Sequence, residues 1–400
     1  MTKVFNENKN SGFTDTVNRK SVAVLSSNIE WLLKSNIRVK NGNDKGALYG
    51  WKYLNPPSYP FVYSEITGYA ISCYSWICSE LGKPEALPAA REAAQWIVRK
   101  MDSEFLLVAG YRKQDSFVEK GDISNHIYLF DNGMAIIGLL NLYRLTAKKD
   151  LLQFASKMAD SLIRHFFKGS AISTVLLDKF YRPIELKETK WSTVPGAYLS
   201  KLSLGLLELS KLTGKTNYVR ISNAICNFAV SLQKPDGRFE TNPNSQITYL
   251  HPHLYACEGL IYSGVIQSKE KYLNSALQGI VWATRHLNDA GGLPRDNSNV
   301  SVEQSDAICQ LLRLLILCRF DLSEMLGQSQ LANLIDRLHQ RILDFCMMSR
   351  DDNRGGVKYQ LRLESICSWC TMFCMQAVRL WQKKTNGQLN DNVKWIEYFV

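Results

Sequence analysis

No stretch of the chain is apolar over the roughly 18 residues that a membrane span requires. The longest candidate, Leu311 to Cys318, is short and is broken by Arg313. The amino terminus, MTKVFNENKN, lacks the apolar core of a secretory signal, so the chain reads as one made and kept in the cytoplasm. A GxGxxG element joined to a strand-helix unit is missing, as is a phosphate-binding loop, and no cofactor is expected. Lysine and arginine never gather into a polybasic block, and no zinc-finger, RRM, KH or helix-turn-helix pattern stands out, which argues against nucleic acid as a partner. Also missing is the low hydrophobicity of a disordered chain: 46% of the 400 residues are hydrophobic and 21% charged, enough to bury a large core.

The ten cysteines are not arranged as a disulfide framework, since most, such as Cys73, Cys226 and Cys318, lie inside apolar helical runs and read as reduced, buried thiols. Cys367, Cys370 and Cys374 share one helical face at i, i+3, i+7. No second CxxC and no nearby histidine completes a zinc set there, and packing explains the spacing. Basic residues exceed acidic ones by 48 to 37, a net charge of +11, which leaves an acidic polysaccharide or an anionic surface as plausible partners.

What the sequence has in abundance is helical period. Six runs are apolar nearly all round, starting near Ile66, Asp131, Gly196, His253, Glu303 and Leu363, and read as inner helices. Five are followed, after short turns such as LGKPE and LTGKT, by amphipathic helices: Ala86–Met101, Asp150–Phe167, Asn217–Gln233, Lys271–Leu287 and about Ser329–Met347. Val17 to Ser35 supplies a sixth outer helix by packing beside the last inner one. Twelve helices recurring every 50–65 residues predict an all-α fold, one closed (α/α)6 barrel over residues 17–400 after a flexible segment 1–16. An open helical solenoid is the alternative, because periodicity does not report closure.

The outer-to-inner links are long and rich in Gly, Pro, aromatic and charged residues, with DGRF and RGGVKY as hairpin candidates. Helices alternate in direction, so these links share one rim, where binding and catalysis usually sit. They bring Tyr63, Glu65 and Tyr69 to the first inner helix, Asp131 and Asn132 to the second, and Lys190 and Trp191 to the third. His251, His253 and Glu258 come with the fourth, and Arg295, Asp296, Glu303 and Asp306 with the fifth. Carboxylates, imidazoles and aromatic rings at one mouth suit carbohydrate chemistry, because rings stack on sugar faces while acids and bases move protons. The competing reading of Asp131, Glu303 and Glu65 is helix capping. Glu258 and Asp306 fall inside apolar runs, where an unpaired carboxylate is costly.

FDNGMAIIGLL, LHPHLYACEGLIY and EQSDAICQLLRL together resemble rim motifs of the six-hairpin glycosidase-like (α/α)6 proteins, a group that includes glycoside and unsaturated uronyl hydrolases, with sugar epimerases on a similar toroid. QKPDGRF resembles a terpene-cyclase repeat, but it occurs once and no DxDD motif accompanies it. The toroid resemblance implies an enzyme acting on an oligo- or polysaccharide, with glycoside hydrolysis first: Asp131 or Glu65 as general acid, Asp306 or Glu258 as base or stabiliser. The first alternative is a uronate lyase or sugar epimerase using His251 and His253 as acid and base, with Lys190 or Arg295 facing a sugar carboxylate. The second is a non-catalytic toroid that binds a glycan or protein on the same rim.

Overall fold

The computed structural model describes residues 10–112, 123–186, 190–241, 245–389 and 395–399. After α1 (Asn10–Lys34) come the pairs α2 (Ser64–Leu81) and α3 (Leu87–Lys100), α4 (Leu129–Thr146) and α5 (Lys149–Phe166), α6 (Ser203–Thr213) and α7 (Thr216–Ser231), and α8 (Leu250–Gln267) and α9 (Glu270–Thr284). Then follow α10 (Ser305–Leu317), a short α11 (Arg319–Leu326), α12 (Gln328–Asp344), α13 (Ser368–Thr385) and the four-residue α14 (Trp395–Tyr398). The inner helices α2, α4, α6, α8, α10 and α13 each contact the next, and α13 returns to α2, so the ring is closed. This is the all-α (α/α)6 toroid, and it excludes the open solenoid.

Burial explains which helix goes where. In α4 every residue from Leu129 to Leu142 is buried, as an inner helix surrounded by protein requires. In α5 the buried positions Leu151, Ala155, Met158, Ala159, Leu162 and Phe166 form one stripe, which faces the inner ring. The inner-to-outer turns are tight because the chain turns into the left-handed region at the helix C-cap. Gly82 (φ 63°) and Gly214 (φ 74°) do this without a Cβ penalty, and Ala147 and Ser268 adopt the same conformation at the ends of α4 and α8.

Three expectations are corrected. Helix α1 starts at Asn10, not Val17, while residues 1–9 lie outside the described residues. The third inner helix opens as a 3-10 segment, Ala197–Leu202, before it becomes α6. The last inner helix begins at Ser368 rather than near Leu363, because residues 365–367 pair as a strand.

The rim carries the strands. The segments β1 (Trp51–Leu54), β2 (Pro57–Ser58) and β3 (Phe61–Tyr63) precede α2, and β4 (Gly110–Arg112) and β5 (His126–Tyr128) precede α4. Then come β6 (Phe167–Lys168), β7 (Ala171–Ile172) and β8 (Leu176–Asp178), and finally β9 (Val357–Lys358) and β10 (Ser365–Cys367). The RGGVKY stretch supplies β9. One four-stranded sheet, ordered β2-β1-β10-β9 and antiparallel, joins the first rim loop to the last through Trp51 opposite Cys367 and Tyr53 opposite Ser365. On the outer layer, Ser21 Oγ of α1 lies 3.0 Å from His339 Nε2 of α12, a contact 318 residues apart that latches the ring beside α13.

Candidate active site

Most inner helices are approached through an extended segment held by the neighbouring rim loop. β3 pairs with β4, β5 with β8, and Tyr249 bridges Asp296. The residue at each junction sits at the helix N-cap with extended backbone: Tyr63 (φ −128°, ψ 127°), Tyr128 (−95°, 136°) and Tyr249 (−74°, 126°). None of the three caps its helix through its side chain. All three instead line a rim cavity of about 360 Å³. Acidic residues in the first turn of α2, α4 and α10 deliver Glu65, Asp131 and Asp306 to the same cavity, where the partial positive charge of a helix start favours a carboxylate.

Glu65 and Asp131 line the same cavity, and the charge of Glu65 bears on Asp131. Burial raises Glu65 to about 7, against hydrogen bonds from the Tyr63 and Tyr69 hydroxyls and the charge of Lys201, which hold it down. Burial and the charge of Glu65 push Asp131 well above the usual carboxylate range. Asp131 is 4% exposed, and its Oδ2 has no hydrogen-bond partner among the described residues. Its neighbour Asn132 turns the other way: its amide accepts from Leu107 N (2.8 Å) and donates to Leu107 O and Tyr128 O, tying the start of α4 to the preceding loop.

Another wall is built around His251. Its Nδ1 lies 2.7 Å from Gln310 Oε1 and 3.4 Å from Asp306 Oδ2, which leaves Nε2 as the nitrogen with proton-accepting capacity. Burial lowers its pKa, against the charge of Asp306, so the ring is neutral near pH 7. Asp306 also accepts from Trp369 Nε1 (3.2 Å) and from Ala307 N (2.8 Å), so its oxygens are engaged in orienting the imidazole and the indole. Trp191 stands edge-on to His251 with ring centroids 6.1 Å apart, and Lys190 and Arg295 complete the polar part of the lining. Arg295 is held by its Nε to Asp296 (2.8 Å).

Beneath the cavity the ring axis is filled. Tyr69 and Tyr255 hydroxyls meet at 2.7 Å, and Lys201 Nζ sits 4.2 Å from the Tyr255 ring centroid. Lys201 Nζ and Arg313 Nη2 bind the two oxygens of Glu258 at 2.7 and 2.8 Å, and all three side chains are fully buried. Arg313 also donates to Gln376 Oε1 and to Tyr398 O, the latter at 2.9 Å.

Of the sequence candidates, Tyr63, Glu65, Asp131, Lys190, Trp191, His251, Arg295 and Asp306 line the cavity. Six do not. Glu258 is paired in the axis, and Tyr69 lies one layer below the lining. His253 points into the outer layer, where Nδ1 accepts from Phe239 N (3.2 Å) and Nε2 donates to Gly279 O (2.9 Å), so it does not face His251 across a substrate. Asn132 is a staple. Asp296 is buried, accepting from Ser298 and Asn299 of its own loop as well as from Arg295. Glu303 reaches outward to Asn288 Nδ2 (2.6 Å) and Arg341 Nε (2.8 Å). The cysteine face of α13 is buried packing, with Cys374 Sγ 3.7 Å from Cys346 Sγ.

The sequence reading missed Tyr128, Tyr249, Tyr255, Gln304, Tyr359 and Trp369 in the lining. For two of them a signal existed: a β-branched residue followed by tyrosine recurs as Val62-Tyr63, Ile127-Tyr128 and Thr248-Tyr249, each time at the extended residue that caps an inner helix.

No family model and no curated sequence matches the chain. Solved structures do. A cellobiose 2-epimerase from Bacillus thermoamylovorans is similar with a TM-score of 0.73 at 10% identity, over 92% of this chain and 99% of that one. A D-mannose isomerase gives 0.66 at 10% identity, over 95% and 100%. An unsaturated glucuronyl hydrolase from a Bacillus species gives 0.62 at 13% identity, over 92% and 97%. At such identities the likeness is one of fold. The chain therefore has the six-hairpin (α/α)6 toroid, a fold that matches carbohydrate-active enzymes.

Proposed function

We propose that the chain is a glycoside hydrolase that uses Glu65 and Asp131 on a sugar held in the rim cavity. The observation that carries this reading is that Glu65 and Asp131 line one aromatic-walled cavity with both carboxyls pushed above the usual range: one to donate a proton to a leaving oxygen, one to act as base or nucleophile. Lys190 and Arg295 favour a substrate carrying a carboxylate, which the +11 net charge would attract. The test is incubation with neutral and uronic-acid oligosaccharides in ¹⁸O-water, read by mass spectrometry. Cleavage with ¹⁸O uptake is expected, and is expected to vanish in Asp131→Asn and Glu65→Gln. Cleavage without ¹⁸O would replace hydrolysis by elimination.

Epimerisation is the second reading, favoured by one observation: His251 is neutral, oriented through Nδ1 by Gln310 and Asp306, and placed in the cavity. The same incubation in deuterium oxide separates the two. Deuterium fixed at a sugar carbon without chain cleavage, and lost in His251→Gln, would establish proton exchange instead. Stabilisation by a sugar with no change of mass and no deuterium would mark a binding module.

A further inference from the structure

The buried Lys201–Glu258–Arg313 cluster takes no part in the chemistry proposed above, yet it places two fully buried cations on one carboxylate. Replacing such a cluster with apolar side chains is commonly neutral or stabilising, so its stability value alone does not account for it. Its position is informative. Lys201 Nζ lies against the Tyr255 ring at 4.2 Å and 5.4 Å from the Tyr69 ring centroid, and the Tyr69 hydroxyl is hydrogen-bonded to Tyr255 and to Glu65. The net charge of +1 therefore sits one tyrosine layer beneath Glu65.

We infer that Lys201 is a positioning residue which, through the excess charge of this cluster, keeps Glu65 as the anionic member of the carboxyl pair and leaves the proton on Asp131. The inference rests on the reading of Glu65 and Asp131 as the reacting pair. It assigns their roles: Asp131 the acid, Glu65 the base or nucleophile.

The groups that face Glu65 favour this division. The Tyr63 hydroxyl at the end of β3 and the Tyr69 hydroxyl on its own helix donate to it. Asp131 and Tyr128 stand at the start of α4, and His251, Tyr255 and Glu258 along α8. Asp306 and Arg313 lie on α10, and Lys190 and Arg295 approach from the rim. From the 197–202 segment the charge of Lys201 bears on Glu65 and holds it down, whereas the charge of Glu65 bears on Asp131 and raises it. Burial draws Lys201 down to about 8, partly opposed by Glu258, so it remains charged at neutral pH.

The test needs no sugar. Protein labelled with ¹³C at the glutamate side-chain carboxyl is titrated by NMR, the Glu65 signal being the one lost in Glu65→Gln. Lys201→Met, which leaves Arg313 and Glu258 as a neutral pair, is expected to raise the Glu65 midpoint by about one pH unit. The double variant Lys201→Met with Glu258→Gln restores a single excess cation and is expected to bring the midpoint back toward the wild-type value. Lys201→Gln, an uncharged side chain that can still donate to Glu258, is expected to raise the midpoint as Lys201→Met does, which keeps the proposal testable if Lys201→Met does not fold. A midpoint unmoved in Lys201→Met or Lys201→Gln, or unrestored in the double variant, overturns the inference. Because the readout is a titration, its failure is separable from that of the hydrolase reading. Midpoints that move as stated with no ¹⁸O uptake would retain the charge device and discard hydrolysis, and the reverse pattern would do the opposite.

Discussion

Glu65 and Asp131 are held in a state that works against the fold. A carboxyl whose native pKa lies above its ordinary value binds its proton more tightly folded than unfolded, so the stability it gives is present at low pH and lost as pH rises through the native value. For Glu65 that window runs from the ordinary 4.5 to about 7. Glu65→Gln should therefore raise the melting temperature at pH 8 relative to wild type and change it little at pH 4, with a gain on the order of 1–2 kcal/mol at the higher pH. Asp131→Asn should behave likewise. Had either been a plain helix cap, the same substitutions would lower stability, so thermal unfolding of the two variants across pH distinguishes the readings. Single residues were legible to the extent that their chemistry is local. Glu258 is a carboxylate inside an apolar run and had to have a partner, but the partners, Lys201 and Arg313, come from other helices and sit in apolar runs of their own. His253 shares its short motif with His251, yet two positions along a helix point to different sides, and the ring finds Phe239 N and Gly279 O instead of the cavity.

At the scale of the element, the inner helices are set by contact distance. Where α8 meets the 197–202 segment, a Cβ on Gly259 would lie 2.2 Å from the carbonyl carbon of Ser200 and 2.4 Å from Lys201 N, both backbone atoms that cannot swing aside. Gly259→Ala is expected to cost roughly 2–3 kcal/mol in urea unfolding and, by displacing Lys201, to disturb the cavity floor as well. The helices themselves were legible because the 3.6-residue period persists over many turns. Their starts were less so. The start of α13 moved from about Leu363 to Ser368 because Ile366 and its neighbours pair with β1 and β9, and no local pattern announces a partner more than 300 residues earlier in the chain. The same kind of long-range pairing, β5 with β8 and Tyr249 with Asp296, explains why Tyr128 and Tyr249 were missed: an extended N-cap turns the side chain into the cavity, and that conformation is imposed by the neighbouring loop.

For the whole molecule, alternation of buried and amphipathic helices dictates a ring, and the asymmetry of the links dictates that its chemistry lies on one rim. Closure needed the structure, because it depends on α1 meeting α12 and α13 and on β1 meeting β10. That closure has a consequence in time. Each helical hairpin buries apolar surface against its immediate neighbour and can form early, whereas the contacts that shut the ring, Ser21 with His339 and Ser368 with Tyr49, join residues 318 and 319 positions apart. Such contacts carry the greatest loop-closure entropy and form late. In refolding from urea, far-UV circular dichroism is expected to recover first and Trp369 fluorescence later; simultaneous recovery would refute a late closure. Since walls of the cavity come from both ends of the sequence, a chain still short of α13 would be rich in helix and unable to hold a ligand, and recognition would begin only when the last turn of the ring is in place.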